Sequence, residues 1–255
     1  MNPFASFNKY IRSIIPSFRK ERRAALFPPM LVVKPRGTRV LVLSPHFDDE
    51  VIGCGGTLIK HILDGDTVSV VYLTDGTNGT PDIADRAEGA RIRRKESETA
   101  MRLLGIKDLY FLSEAEGSPE IQKETHATLA RILTERQPDL VYLPWFGENH
   151  ADHLKTNLIF IDLIAYLQKE CLVCAYEVWT PLLPNIMVDI GSVFEQKMSA
   201  LECFTSQLKH NNYRRIVEGL NLYNTRYCLN GESYAEAFLF TSAREYRKLS
   251  HKFLC

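Results

Sequence analysis

The sequence predicts an α/β protein with a mostly parallel sheet and helices on both faces. From about residue 31 onward, short apolar runs alternate with longer segments of helical periodicity, as is typical of sheets built from strand–helix–strand units. Two clusters of histidine and carboxylate residues directly follow two of the apolar runs. With 255 residues, of which 45% are hydrophobic, the chain is long enough to bury one large core.

The predicted elements follow the chain in a regular order. The apolar runs predict strands at residues 40–43, 67–73, 109–112, 140–143, 172–179 and 235–240. Helical periodicity predicts helices at residues 53–63, 83–104, 119–136, 152–168 and 193–208. Gly105 is expected to end the second helix as a C-cap. We assign no helix or strand to the polar stretch 209–232. We expect one domain over residues 30–255, preceded by an extension over residues 1–29.

The N-terminal extension differs from the rest of the chain in charge. The formal net charge of the whole chain is zero, which gives no argument for a nucleic-acid partner. Residues 1–26 nevertheless carry six basic side chains against one acidic side chain, with apolar residues between them at helical spacing. Such a segment is suited to lie on an anionic membrane surface, but a helix that packs on its own domain has the same pattern. Both interpretations stay open.

The six cysteines are scattered without the spacing of a disulfide framework. In a chain of this length they indicate reduced, mostly buried thiols, so the predicted location is the cytoplasm, with membrane association through residues 1–26 as an option. Cys171 and Cys174 have CxxC spacing. No second pair completes a structural zinc site, however, and the motif overlaps a predicted strand, so we interpret both as core residues.

The first polar cluster is His-Phe-Asp-Asp-Glu at residues 46–50, and the second is His-Ala-Asp-His at residues 150–153. Each follows a predicted buried strand. Because ligands bind at the carboxyl ends of strands in open parallel sheets, we expect the two clusters to meet there. Imidazoles and carboxylates suit Zn²⁺, or another divalent ion such as Fe²⁺.

The two clusters contain the groups needed for metal-assisted hydrolysis of an amide. A catalytic site with three protein ligands and one open position is supplied by His46, Asp49 and His153. Asp48 is expected to face the attacking water as a general base, assisted by a metal that lowers the pKa of water to about 7. His150 is a candidate for stabilising an oxyanion or protonating the leaving amine, with Asp152 as the group that orients an imidazole.

The glycines at positions 53, 55 and 56 allow two interpretations. They are able to open a helix N-terminus for an anion or dinucleotide, or to let a helix pack closely on the sheet. The run lacks GxGxxG spacing, and the neighbouring carboxylates would repel a pyrophosphate. We therefore favour close packing.

These motifs resemble the PIG-L (LmbE-like) de-N-acetylase family, whose signature is a strand, His-Pro-Asp-Asp-Glu, a glycine turn and a downstream His-x-Asp-His. Other matching segments lie at residues 73–76, 93–96, 206–207 and 234–238, so the resemblance extends over about residues 38–240. Phe47 replaces the usual proline. The resemblance implies a Rossmann-like three-layer sandwich and a zinc-dependent enzyme that removes acetyl groups from N-acetylglucosamine in lipid-linked, thiol-linked, oligosaccharide or antibiotic settings. We therefore expect a small-molecule or lipid- or nucleotide-linked N-acetylated sugar as the partner.

The resemblance also implies a role for each site residue. It implies a zinc site formed by His46, Asp49 and His153. Asp48 would be the general base, His150 would stabilise the tetrahedral intermediate with Asp152 tuning it, and Arg93 would contact substrate hydroxyls or phosphate.

Two other functions stay open from the sequence: a catalytically silent metal-containing module that binds a glycan or glycolipid, and an amidase acting on a non-sugar amide. One group of aromatic residues either stacks on sugar faces or packs in the core: Trp145, Phe146, Tyr213, Tyr223 and Tyr227.

Overall fold

The computed structural model describes residues 29–118, 121–167, 171–227, 229 and 231–254. Except for Pro29, the predicted extension 1–29 lies outside these residues, as do Cys228 and Cys255. Within the described ranges, no helix has both the length and the apolar composition needed to cross a membrane.

The described residues form a single sheet. Its strands are β1 (Met30–Val32), β2 (Arg39–Ser44), β3 (Thr67–Thr74), β4 (Asp108–Glu114), β5 (Leu140–Pro144), β6 (Leu172–Tyr176), β7 (Ile186–Asp189) and β8 (Ala235–Ser242). Their spatial order is β1-β7-β8-β6-β5-β2-β3-β4. β8 runs antiparallel to its neighbours β6 and β7, and the other neighbouring strands are parallel.

Helices cover both faces of this sheet. They are α1 (Asp49–Leu63), α2 (Arg86–Leu104), α3 (Lys123–Arg136), α4 (Ala151–Leu163), α5 (Phe194–Leu201), α6 (Thr205–Leu208), α7 (Tyr213–Asn224) and α8 (Ala243–Leu254). Alternate residues of β2 point to opposite faces. Val40 and Val42 pack in the core formed with α1, α2, α5 and α7. Leu41 and Leu43 pack in the core formed with α3, α4 and α8. The predicted three-layer sandwich with a mostly parallel sheet is confirmed.

The predicted elements up to residue 176 are largely confirmed, and the main differences follow it. Gly105 ends α2 in the left-handed conformation, with φ 82°, as expected for a C-cap. The strands β1 and β7 and the helix α8 were not predicted, and the helix expected over 193–208 is divided into α5 and α6. α7 lies within the stretch that was assigned no element. Its buried face continues from Tyr213 and Val217 to the polar Asn221 and Asn224, so the apolar periodicity is weak.

The glycine run lies inside α1, which begins at Asp49 rather than at Gly53. A β-carbon at Gly53 would lie 2.2 Å from a ring carbon of Tyr176, and one at Gly56 would lie 2.8 Å from Ile190. Only glycine allows the helix to approach the sheet and the following segment this closely. The packing interpretation is therefore confirmed against a dinucleotide loop.

A fully buried ion pair attaches α1 to the C-terminal half of the chain. Nζ of Lys197, on α5, lies 2.7 Å from Oε1 of Glu236, on β8. Lys197 also donates to the carbonyl of Ile52, and Glu236 accepts from the backbone N–H groups of Gly56 and Thr57. Residues 52 and 56 would bond to each other in an uninterrupted helix. The ion pair therefore bonds to both of these backbone groups, the carbonyl of residue 52 and the N–H of residue 56.

Candidate metal centre and active site

The two polar clusters meet at the carboxyl ends of two neighbouring strands. β2 and β5 are parallel and directly paired, so the segments that leave their carboxyl ends emerge at the same edge of the sheet. His46 follows β2, and His150 and His153 lie at the start of α4, after β5. The ring centroid of His46 lies 4.6 Å from that of His150 and 5.4 Å from that of His153. The expected meeting of the clusters is confirmed.

One carboxylate oxygen of Asp49 lies close to both of the predicted histidine ligands. Oδ2 of Asp49 lies 3.0 Å from Nδ1 of His46 and 3.2 Å from Nε2 of His153. The same oxygen accepts from the backbone N–H of His46 at 3.0 Å. All three side chains are buried. The tight turn from β2 into α1 places His46 and Asp49 together, and the first turn of α4 adds His153.

The centre attracts positive charge. Burial disfavours the ionised form of Asp49, but the adjacent His153 and His46 hold the pKa of this carboxyl well below its usual range. Burial also disfavours protonated imidazoles, yet Asp49 and other nearby carboxylates raise the pKa of His46 to about 10 and that of His153 to about 9. The carboxylates of this site therefore favour a cation beside them.

His153 provides a test of whether a metal fits. Both of its ring nitrogens are buried, and neither makes a well-formed hydrogen bond to the described residues. A buried polar group without a hydrogen bond is costly, and a cation held by the ring would offset part of that cost. Ring nitrogens of three histidines lie within 4.8 Å of one another: His46, His150 and His153. Together with Asp49, this donor set fits Zn²⁺ or another divalent ion that accepts imidazole and carboxylate ligands.

Asp48 lies beside this centre and faces a buried arginine. It is the N-cap residue of α1, and its Oδ2 lies 3.7 Å from a guanidinium nitrogen of Arg93. Burial raises the pKa of Asp48 to about 6, against the opposing positive charge of Arg93. Only 3% of Arg93 is exposed, whereas Arg91 and Arg94 on the same helix lie on the solvated face. In this arrangement Arg93 contacts the candidate base, and a contact with substrate stays a prediction.

His150 lies at the mouth of the site and Asp152 lies below it. The ring of His150 is partly exposed, and its Nδ1 accepts from the backbone N–H of Asp152. The carboxylate of Asp152 is 3.2 Å from Nε2 of His46 but 3.8 Å from Nδ1 of His150. It also accepts from the backbone N–H of Gly117 at 3.0 Å. Asp152 thus contacts His46 more closely than His150, the imidazole with which the sequence pairs it.

Two glutamates at the site were not predicted. Oε1 of Glu116 lies 3.7 Å from Nε2 of His46, and its Oε2 lies 3.8 Å from Arg93. Glu148 is buried, and its Oε2 lies 3.6 Å from Nδ1 of His153. Glu116 follows the carboxyl end of β4, so the rule that located the two histidine clusters also applies to it. No sequence pattern distinguishes Glu148 from a surface residue of the loop.

The aromatic residues separate into core and rim. Trp145 and Phe146 are buried in the core formed with α3, α4 and α8, so stacking on a sugar is excluded for both in this structure. Tyr213 is also buried, and its ring centroid lies 5.6 Å from that of Trp179. Tyr223 is exposed beneath the guanidinium of Arg226. The side chain of residue 227 lies outside the description.

The chain matches the PIG-L (LmbE-like) de-N-acetylase family, in agreement with the histidines and carboxylates that meet where β2 and β5 end. The family model described as GlcNAc-PI de-N-acetylase (PIG-L) matches residues 41–164. That range contains the predicted ligands His46, Asp49 and His153 and the predicted general base Asp48.

Named relatives cover most of the chain. Diacetylchitobiose deacetylase of Thermococcus kodakarensis is 28% identical over 223 residues, which are 79% of this chain and 82% of the relative. A probable N-acetyl-alpha-D-glucosaminyl L-malate deacetylase 2 of Bacillus anthracis is 26% identical over 66% of this chain and 80% of its own length. The solved structure of N,N'-diacetylchitobiose deacetylase from Pyrococcus horikoshii, complexed with an inhibitor, matches with a TM-score of 0.71 and 26% identity, over 96% of this chain and 95% of that chain.

Proposed function

We propose that this protein is a metal-dependent hydrolase that removes the N-acetyl group from an N-acetylglucosamine-containing glycoconjugate. The observation that carries the proposal is the position of one Asp49 oxygen, 3.0 Å from His46 and 3.2 Å from His153, with Asp48 at the preceding position in the chain. A catalytically silent module that binds a metal and a glycan would need the ligands but not the adjacent second carboxylate, which suits a base. The relatives named above support N-acetylglucosamine compounds as the substrate class.

In this proposal His46, Asp49 and His153 hold the metal, which is Zn²⁺ or another divalent ion such as Fe²⁺. When bound, such an ion polarises an amide carbonyl and makes water a better nucleophile near neutral pH. Glu148 faces the ring of His153 on the side away from Asp49, since it lies near Nδ1 while Asp49 lies near Nε2. A carboxylate in this position orients a ligating imidazole.

Asp48 acts as the general base and Arg93 holds it in place. Asp48 accepts a proton from the attacking water, a carbon–oxygen bond forms at the acetyl carbonyl, and the carbon–nitrogen bond then breaks. The proton passes to the leaving nitrogen, so that acetate and a free amine are released. The loop around Gly79 leaves the guanidinium of Arg93 little room to move, since a β-carbon at position 79 would lie 2.1 Å from a guanidinium nitrogen. A guanidinium fixed in this way limits the rotation of Asp48.

His150 stabilises the developing oxyanion or protonates the leaving amine. Its partial exposure suits contact with substrate, and its ring centroid lies 5.0 Å from that of His153. Asp152 positions His46 and, through its backbone N–H, the ring of His150.

The remaining predictions about the whole protein are part of this proposal. Residues 30–255 form one catalytic domain and residues 1–29 an extension. The location is cytoplasmic, and contact of residues 1–26 with a membrane is a separate question. The partner is a small-molecule or lipid- or nucleotide-linked N-acetylated sugar.

Metal content and acetate release test the proposal together. Purified protein is analysed for bound metal and assayed with nucleotide-linked, lipid-linked, thiol-linked and oligosaccharide forms of N-acetylglucosamine. We expect about one metal ion per chain and acetate release from one of these classes. Asp48→Asn should abolish release and retain the metal, whereas His46→Ala should lose both. Bound metal without acetate release from any sugar would contradict the proposed reaction, and loss of metal in Asp48→Asn would make Asp48 a ligand.

A further inference from the structure

Trp179 is a large apolar side chain at the edge of the sheet where the site lies. It belongs to the segment that follows β6 at its carboxyl end, and 44% of the residue is exposed. The chain has two tryptophans, and the other, Trp145, is buried in the core. An exposed tryptophan is costly to leave in water, and aromatic side chains at binding sites present an apolar face together with a polar edge.

Tyr213 packs beside Trp179. Its ring, from the start of α7, lies 5.6 Å from that of Trp179, with an interplanar angle of 49°. Burial raises the pKa of Tyr213 well above its usual value, and the charges of Asp48 and Asp49 add to this effect. The two rings form one aromatic surface beside the centre.

Glu148 links the segment that carries Trp179 to the candidate metal centre. The carboxylate of Glu148 accepts backbone N–H groups from residues 178, 179 and 180, at 2.7, 3.1 and 3.2 Å. Its second oxygen lies 3.6 Å from His153. On the other side, Nε1 of Trp145 donates to the carbonyl of Thr180 at 2.7 Å. The backbone under Trp179 is thus held at a fixed distance from a ligand of the proposed metal.

We propose that Trp179, supported by Tyr213, is the surface on which the sugar ring of the substrate packs. This inference rests on the proposed function and specifies the part of the substrate that is recognised. The acetamide has to reach the centre formed by His46, Asp49 and His153, and the ring that carries it extends from there toward the rim. The apolar C–H face of a pyranose matches an aromatic face, while its hydroxyl groups remain at the periphery in water. Because this ring leaves with the amine, Trp179 also contacts the deacetylated product.

The test separates sugar binding from catalysis. The metal-loaded Asp48→Asn protein is titrated with N,N'-diacetylchitobiose and with glucosamine, and binding is followed by calorimetry and by tryptophan emission. We expect emission to change on binding, and Trp179→Phe to remove most of that change because Trp145 is buried. Trp179→Ala should weaken binding about tenfold, as expected for the loss of one stacked aromatic contact, whereas Trp179→Phe should retain most of the affinity.

Two further measurements distinguish this role from a structural one. In the otherwise unchanged enzyme, Trp179→Ala should raise KM for the sugar more than it lowers kcat, and should leave metal content and the turnover of N-acetylethanolamine, which lacks a ring, unaltered. Tyr166→Ala is the matched control. Tyr166 is similarly exposed, at 49%, but it lies in the turn that follows α4 (Ile164–Tyr166), about 20 Å along that helix from His153, and its removal should change nothing.

Three outcomes would overturn the inference: unchanged sugar binding in Trp179→Ala, an equal loss of turnover for sugar and ring-free amide, or loss of metal. Trp179-dependent binding of the sugar without acetate release by the unmodified protein would support the aromatic surface and refute the proposed reaction. The two claims therefore fail separately.

Discussion

Replacing Lys197 by methionine should destabilise the protein strongly, although the two side chains are similar in length. Lys197 is fully buried, and its ammonium donates to Glu236, Asn221 and the carbonyl of Ile52, at 2.7, 2.9 and 2.9 Å. Without it, the carboxylate of Glu236 stays buried with no positive partner. Removing one member of a buried pair costs about 3–5 kcal/mol.

The contacts that remain place the expected loss at the lower end of that range. Glu236 still accepts the backbone N–H groups of Gly56 and Thr57 and the hydroxyl of Thr57, at 2.8, 2.7 and 2.6 Å. These donors partly solvate the charge, so we expect the free energy of unfolding to fall by about 3 kcal/mol. For a chain of this size that corresponds to roughly 6–12 °C in Tm.

Denaturant unfolding and calorimetry at neutral pH measure this loss. Lys248→Met is the matched control, since Lys248 is exposed and pairs with Glu245 at 2.9 Å on the surface of α8; the same substitution there should have no measurable effect. Adding Glu236→Gln to Lys197→Met should recover part of the stability, because no net charge is then buried. Equal stability of Lys197→Met and Lys248→Met would refute the reasoning.

Two further predictions concern Glu148 and His61. Glu148→Gln should weaken metal binding about 10–100-fold, because it removes the carboxylate that faces His153; chelator competition measures this, and unchanged affinity would assign Glu148 to the loop alone. Burial lowers the pKa of His61 below 6.5, although its hydrogen bond to Asp66 acts in the opposite direction. As the pH falls, the imidazole therefore takes up a proton in the unfolded chain before it does so in the folded protein. The free energy of unfolding should therefore decline below about pH 6.5, and less steeply in His61→Gln; identical pH slopes would contradict this role.

The parts of the fold that were predictable are those in which the chain alternates between buried strands and amphipathic helices. Both histidine clusters were located in this way, because each follows the carboxyl end of a strand whose residues are apolar on both faces. α7 was missed because Asn221 and Asn224 lie on its buried face, where their amides donate to the carbonyl of residue 235. β1 and β7 have only three and four residues, too few for a pattern to be recognised.

The residues near the site that were not predicted make their contacts with groups that are distant from them in sequence. Glu148 and Trp179 are far apart in sequence and meet only because β5 and β6 are neighbours. Arg93 was indicated as a site residue only by the family resemblance, because it belongs to a run of charged residues typical of a solvated helix face; its inward orientation depends on the space left at Gly79. Glu116 was within reach, because it follows a strand end as His46 does.

The position of β8 bears on how the sheet is completed during synthesis. Residues 235–242 are made late, yet this strand lies between β6 and β7 and pairs with both. Until it emerges from the ribosome, β1 and β7 have no bond to the rest of the sheet, and β6 presents an unpaired edge to its surroundings. Both histidine clusters and the strands that they follow, β2 and β5, are made before then. A nascent chain without β8 therefore contains the residues of the candidate site together with an open edge at β6 that favours association with other chains.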